Sequence, residues 1–92
     1  MKTIWKCLIQ PNSIKNEPYD IKVPAKVGAR ALSVGIQNGK VCVWFEVDPE
    51  KADAELVLYS VGTGFGCINS DLVRFIGTVI QGQSVWHIYA ED

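Results

Sequence analysis

One histidine and three cysteines in 92 residues leave little material for catalytic or metal chemistry. A lone histidine, His87, builds no zinc site unless thiolates surround it, and Cys7, Cys42 and Cys67 are scattered, with no C-x-x-C pair. With no secretory segment, an odd cysteine count reads as reduced thiols, not as a disulfide framework. Long apolar runs are missing too. In Met1-Lys-Thr-Ile-Trp-Lys-Cys-Leu-Ile-Gln-Pro11 the run is broken by Lys6 and stopped by Pro11. It is too short for a signal-peptide core or a membrane span, so a cytoplasmic protein without a membrane partner is expected. Nor is there an excess of one charge. Nine Lys and Arg against ten Asp and Glu, interspersed, give a net charge of −1. That leaves no polybasic footprint for duplex nucleic acid or an anionic membrane. Without repeats, low-complexity tracts or linkers, residues 1–92 read as a single domain with a modest core.

What is present is period-two alternation in a chain that is 48% apolar and 21% charged, the balance of a globular protein. The clearest case runs from Arg30 to Asp48 around Asn38-Gly39. Asn and Gly best tolerate the two positive φ angles of a type I′ turn, so this pair predicts a two-residue hairpin. The register then sets Gln37 opposite Lys40, Ile36 opposite Val41, Val34 opposite Val43 and Leu32 opposite Phe45. Leu32, Val34, Ile36, Val41, Val43 and Phe45 share one face, as the pleat requires of a buried side. The other face carries Ser33, Gly35, Cys42, Trp44 and Glu46. There Gly35 opposite Cys42 makes a shallow floor with Trp44 beside it. That face is either covered by another strand or the N-terminal segment, or open enough for Trp44 to stack on a ligand or partner.

The remaining segments read as strands at Thr3 to Ile9, Tyr19 to Val23, Glu55 to Val61, Ile76 to Gln81 and Ser84 to Tyr89. The first is apolar enough to be buried on both faces. The last two form a hairpin about Gly82-Gln83, with Ile80 facing Val85, Thr78 facing His87 and Ile76 facing Tyr89. Pro11 to Asp20 is a loop, and Asp48-Pro49-Glu50-Lys51-Ala52-Asp53 a charged turn. Ser70 is placed to cap one helical turn over Asp71 to Phe75. The expected fold is all-β: a compact antiparallel sandwich or partly open barrel of six or seven short strands, with at most one short helical turn.

Gly62-Thr63-Gly64-Phe65-Gly66 follows a strand and invites comparison with phosphate-binding loops. The spacing is not G-x-G-x-x-G, no Lys-Ser/Thr follows and no long helix opens, so both the Rossmann and P-loop fingerprints fail. What is left is a nest of backbone N–H groups that favours an anion, or else glycines that simply let the chain turn. As a ligand site it would comprise Gly62, Thr63, Gly64 and Phe65. Arg74 would grip a phosphate and Trp44 would supply an aromatic plate. A Cys67–His87 nucleophilic pair has no third residue to orient it, and Asp48, Glu50, Asp53 and Glu55 lack calcium-loop spacing. Neither catalytic residues nor a metal or cofactor is expected. Trp5 and Trp86, like Trp44, are core or interface residues.

Several motifs, in order, resemble a family of small phage and prophage proteins of unknown function. They are Met-Lys-Thr-Ile-Trp-Lys at the start, Leu-Ser-Val-x-x-Gln-Asn-Gly-x-x-Cys-x-Trp at 32–44 and Val-Asp-Pro-Glu at 47–50, followed by Val-Gly-Thr-Gly at 61–64, Phe-Ile-Gly-Thr-Val at 75–79 and Val-Trp-His-Ile-Tyr at 85–89. The family often has a histidine after Gly-Thr-Gly where this chain has Phe65, which argues against a shared catalytic role there; the loop at 10–20 is long. The resemblance implies a phage origin. A small phage protein of this kind is expected to be a non-enzymatic, homo-oligomeric binding protein in the host cytoplasm that antagonises antiviral defence. The first reading is sequestration of a nucleotide immune signal between subunits. The alternatives are direct inhibition of a host defence protein, or an accessory role in phage structure and assembly. An enzyme that cleaves such a signal is disfavoured by the missing base, nucleophile and metal set.

Overall fold

Asn38 and Gly39 have φ angles of 54° and 76° in the computed structural model of the chain, which describes residues 1–13, 16–65, 68–69 and 71–91. The type I′ turn therefore forms where the sequence places it, and Gln37 pairs with Lys40, Ile36 with Val41 and Val34 with Val43. The described strands are β1 (Thr3–Ile9), β2 (Tyr19–Lys26), β3 (Arg30–Gln37), β4 (Lys40–Val47), β5 (Asp53–Gly62), β6 (Arg74–Gln81) and β7 (Ser84–Glu91). They form two antiparallel sheets, one ordered β1-β4-β3 and the other β2-β5-β7-β6. The sheets pack face to face without closing into a barrel.

Strands β4 and β5, each central in its sheet, supply the largest share of the core between the sheets. Val41, Val43, Phe45 and Val47 of β4 meet Leu56 and Leu58 of β5, Val79 of β6 and Ala90 of β7, and all are buried. Trp5 packs edge-on against Phe45, ring centroids 6.1 Å apart. β1 is not buried on both faces, as its apolar composition suggested: Ile4 and Leu8 are 60% and 53% exposed on the outer side. It lies beside β4 as an edge strand of the three-stranded sheet.

Two bulges correct the expected registers. Between Ala31 and Ser33 the pairing of β3 shifts, so Ala31, not Leu32, faces Phe45, and Leu32 is exposed. Between Phe75 and Gly77 the pairing of β6 shifts, so Phe75, not Ile76, faces Tyr89. Bulges bend and twist a strand, and these two lie on edge strands of different sheets that meet at a corner. Arg74 Nη2 donates to the Ala31 carbonyl (2.5 Å), and Gln81 Nε2 donates to the Gly39 carbonyl (3.0 Å). Between them, a Cβ on Gly77 would stand 3.1 Å from Val34 Cγ1, so glycine is what permits the close approach.

The expected helical turn is absent. Residues 71–73 form a turn, and Arg74 and Phe75 are already in β6, drawn there by pairing with Ala90 and Tyr89. Asn69 orders this turn: its side-chain oxygen accepts the Asp71 N–H, and its carbonyl accepts the Leu72 N–H. The proposed cap, Ser70, lies outside the described residues.

Candidate functional site

The residues expected to form a ligand site fall in three separate places. Gly62 ends β5 opposite Trp86, and a Cβ there would meet Ser13 Cβ at 3.0 Å and Phe65 Cδ2 at 3.2 Å. Its glycine is thus explained by crowding. The Phe65 N–H bonds to the Gly62 carbonyl, closing a turn in which Gly64 takes a φ of 80°. This turn borders a cavity of about 260 Å³ with Ser13, Val85 and Trp86. Gly66 and Cys67 lie outside the described residues.

Thr63 does not point its hydroxyl into the loop. It bonds to Nε2 of His87 at 2.7 Å, and Thr78 bonds to Nδ1 at 2.9 Å. Both ring nitrogens are therefore occupied by threonine hydroxyls, and the imidazole links the loop to the β6–β7 hairpin. Arg74 aligns with Ala90, four residues along β7 from the Trp86 that faces Gly62. At strand rise that is about 13 Å away, and its guanidinium reaches the other sheet at Ala31.

Trp44 lies on the outer face of the three-stranded sheet. Its ring covers Gly35, with Cζ3 3.3 Å from where a Cβ would stand, so it fills the floor it was expected to stand beside. Across the same face Lys6 Nζ donates to the Gln37 side chain, spanning β4, and Lys2 pairs with Glu46 at 3.3 Å. Cys42, beneath, is fully buried.

The surface that the sequence did not single out is the outer face of the four-stranded sheet. Register places Tyr59, Tyr89 and Phe75 in one row across β5, β7 and β6, with Asp20 of β2 at its end. The next rows are Val61, His87 and Thr78, then Val85 and Ile80. Across those three strands the rows hold no Lys, Arg, Asp or Glu. Phe75 stacks edge-on against Tyr89 (5.3 Å) yet is 52% exposed, and Ile80 is 67% exposed. Beside the row opens a cavity of about 380 Å³, lined by Pro18, Tyr59, Ile68, Asn69, Leu72, Val73 and Glu91. The Tyr59 hydroxyl donates to Glu91 Oε2 at 2.7 Å. That hydrogen bond, then burial, then the negative charges of Glu91 and Asp20 push the phenol above its usual pKa. The available signal was the outward alternation of β5 and β7, where Tyr59, Val61, Val85, His87 and Tyr89 stand at positions that a solvated sheet fills with charge.

Among the described residues, no group of three His, Cys, Asp or Glu side chains could hold a metal, and no helix is long and apolar enough to cross a membrane. Fold and surface together define a small antiparallel two-sheet protein with an aromatic patch on one outer face. The whole chain, residues 1–92, matches a family described as a domain of unknown function, DUF7352, and the protein belongs to that family. No curated protein and no solved structure matches it.

Proposed function

We propose that this protein is a non-enzymatic binding domain that engages a partner protein through the outer face of the four-stranded sheet. The observation that carries the reading is the aromatic and apolar set of rows Tyr59–Tyr89–Phe75, Val61–His87–Thr78 and Val85–Ile80 on β5, β7 and β6, which hold no formal charge, with Phe75 and Ile80 more than half exposed. An aromatic patch of this kind is what a protein interface buries at its centre. The opposite sheet, by contrast, turns Lys2, Lys6, Arg30 and Glu46 outward around Trp44. Sequestration of a nucleotide is supported less well, because Thr63, Arg74 and Trp44 do not converge. The resemblance to phage and prophage proteins supplies the setting: a phage-encoded protein acting in the host cytoplasm, its partner a host defence protein.

The test compares wild type with Phe75→Asp/Ile80→Asp in capture from host cells, followed by reconstitution with the purified partner. Both positions are exposed on an edge strand, so the fold and melting temperature are retained. The expected result is at least a tenfold loss of affinity, with Lys6→Ala on the opposite sheet unaffected. Undiminished binding by the double variant would refute the reading. So would a homodimer dissolved by the same substitutions in light scattering, since the occupant of the face would then be a second copy.

A further inference from the structure

We infer that the 380 Å³ cavity beside the aromatic row receives an arginine side chain of the partner protein. The inference rests on the docking reading above and adds the chemistry of what docks. Most of the wall is apolar: Pro18, Ile68, Leu72 and Val73 line it together with the Tyr59 ring. A wall of that kind accepts methylene groups. Two polar side chains complete the lining: Asn69, whose side-chain oxygen accepts the Asp71 N–H, and Glu91, the charged one, whose carboxylate receives one hydrogen bond from Tyr59 on Oε2 and keeps further acceptor positions. Among the described residues, the ion pairs of this protein involve Asp48, Glu50, Glu46 and Asp53, and none reaches Glu91.

A purely apolar ligand would strip water from that carboxylate without replacing it, which is costly. A ligand anion would be repelled by Glu91, and by Asp20 in register with Tyr59. The field that disfavours a Tyr59 phenolate favours a cation in the same place. An arginine satisfies every wall at once. Its three-carbon stem packs along Ile68 and Leu72, its planar guanidinium stacks over the Tyr59 ring, and its N–H fork meets Glu91. Because the cavity opens beside Tyr59, Tyr89 and Phe75, one polypeptide can place an apolar residue on the row and an arginine in the cavity.

The probe is Nα-acetylarginine methylamide, with the citrulline counterpart as a neutral isostere, titrated into the full chain and followed by amide NMR shifts. Saturable shifts at Tyr59, Leu72 and Glu91 are expected with arginine and not with citrulline. Glu91→Gln, which still accepts the Tyr59 hydrogen bond, should weaken arginine binding at least tenfold. Equal response to both probes, no response to either, or undiminished binding by Glu91→Gln would overturn the inference. Phe75 lies outside the cavity, so the two readings separate. If partner binding depends on Phe75 while the arginine probe leaves the cavity unmoved, the cavity inference fails alone. If the probe binds while partner binding ignores Phe75→Asp, the docking reading fails alone.

Discussion

Ser60 is fully buried on β5, and its hydroxyl holds both backbone groups of one residue in the segment after β1: it donates to the Asn12 carbonyl at 2.6 Å and accepts the Asn12 N–H at 3.2 Å. That clamp ties the exit of the three-stranded sheet to the middle of the four-stranded one. Ser60→Ala removes both bonds and changes shape little, so the expected cost follows from hydrogen bonding alone. Each bond is worth about 1 kcal/mol net, and the pair therefore about 2 kcal/mol. Asn12 is exposed, so water can re-engage part of what is lost, which sets a lower bound of about 1 kcal/mol. An unfolding entropy of about 2.1 cal/mol/K per residue over 92 residues converts this range to a fall in Tm of about 5–10 °C. Thermal denaturation by circular dichroism measures the fall, and hydrogen exchange should show faster exchange at the Asn12 amide. A Tm and an Asn12 exchange rate both equal to wild type would refute the reasoning, because the hydroxyl would then hold nothing.

Gly35→Ala should push the Trp44 ring off the sheet, since the new Cβ stands 3.3 Å from Cζ3; a shift in indole fluorescence and a destabilisation of about 1 kcal/mol in urea unfolding check it. The Lys26 hydrogen bond, reinforced by its charge, holds the Asp53 carboxyl below its usual pKa. A carboxyl depressed in the fold contributes stability above its unfolded value of about 4 and loses it as pH falls through the lower folded value. An NMR titration should find that depressed value, and Lys26→Met should return it to the ordinary range.

Most of the fold was legible because turn chemistry and alternation agree. Asn38-Gly39 fixes a register, Val41, Val43 and Phe45 confirm it by facing inward, and Gly82 with Gln83 does the same for the last hairpin. The two register misreadings share one cause. A bulge adds a residue to one strand only, and its site depends on which strand lies across the corner, not on local pattern. Leu32 and Ile76 look like regular members of alternating runs, but each falls where β3 and β6 turn toward one another. Arg74 and Phe75 were lost to a false helical turn because local propensity carries no record of the pairing offered by Ala90 and Tyr89.

The site was harder to read because glycine-rich loops announce themselves in sequence and sheet faces do not. Gly62 was conspicuous as a candidate anion contact, yet Ser13 and Phe65 crowd it so closely that a Cβ there would have to displace them. Tyr59, Tyr89 and Phe75 are far apart in the chain and resemble ordinary half-buried strand residues one at a time. They become a surface only when β5, β7 and β6 are laid side by side in that order, an arrangement that puts the last strand between its two predecessors. The same order sets Glu91 diagonal to Tyr59, and Ile68, Asn69, Leu72 and Val73 line the recess with both. Register, more than composition, therefore makes the acid and the aromatic ring into one recess. A substitution that shifts register without touching the recess, such as filling the Gly77 contact with Val34, should disturb it as surely as Glu91→Gln.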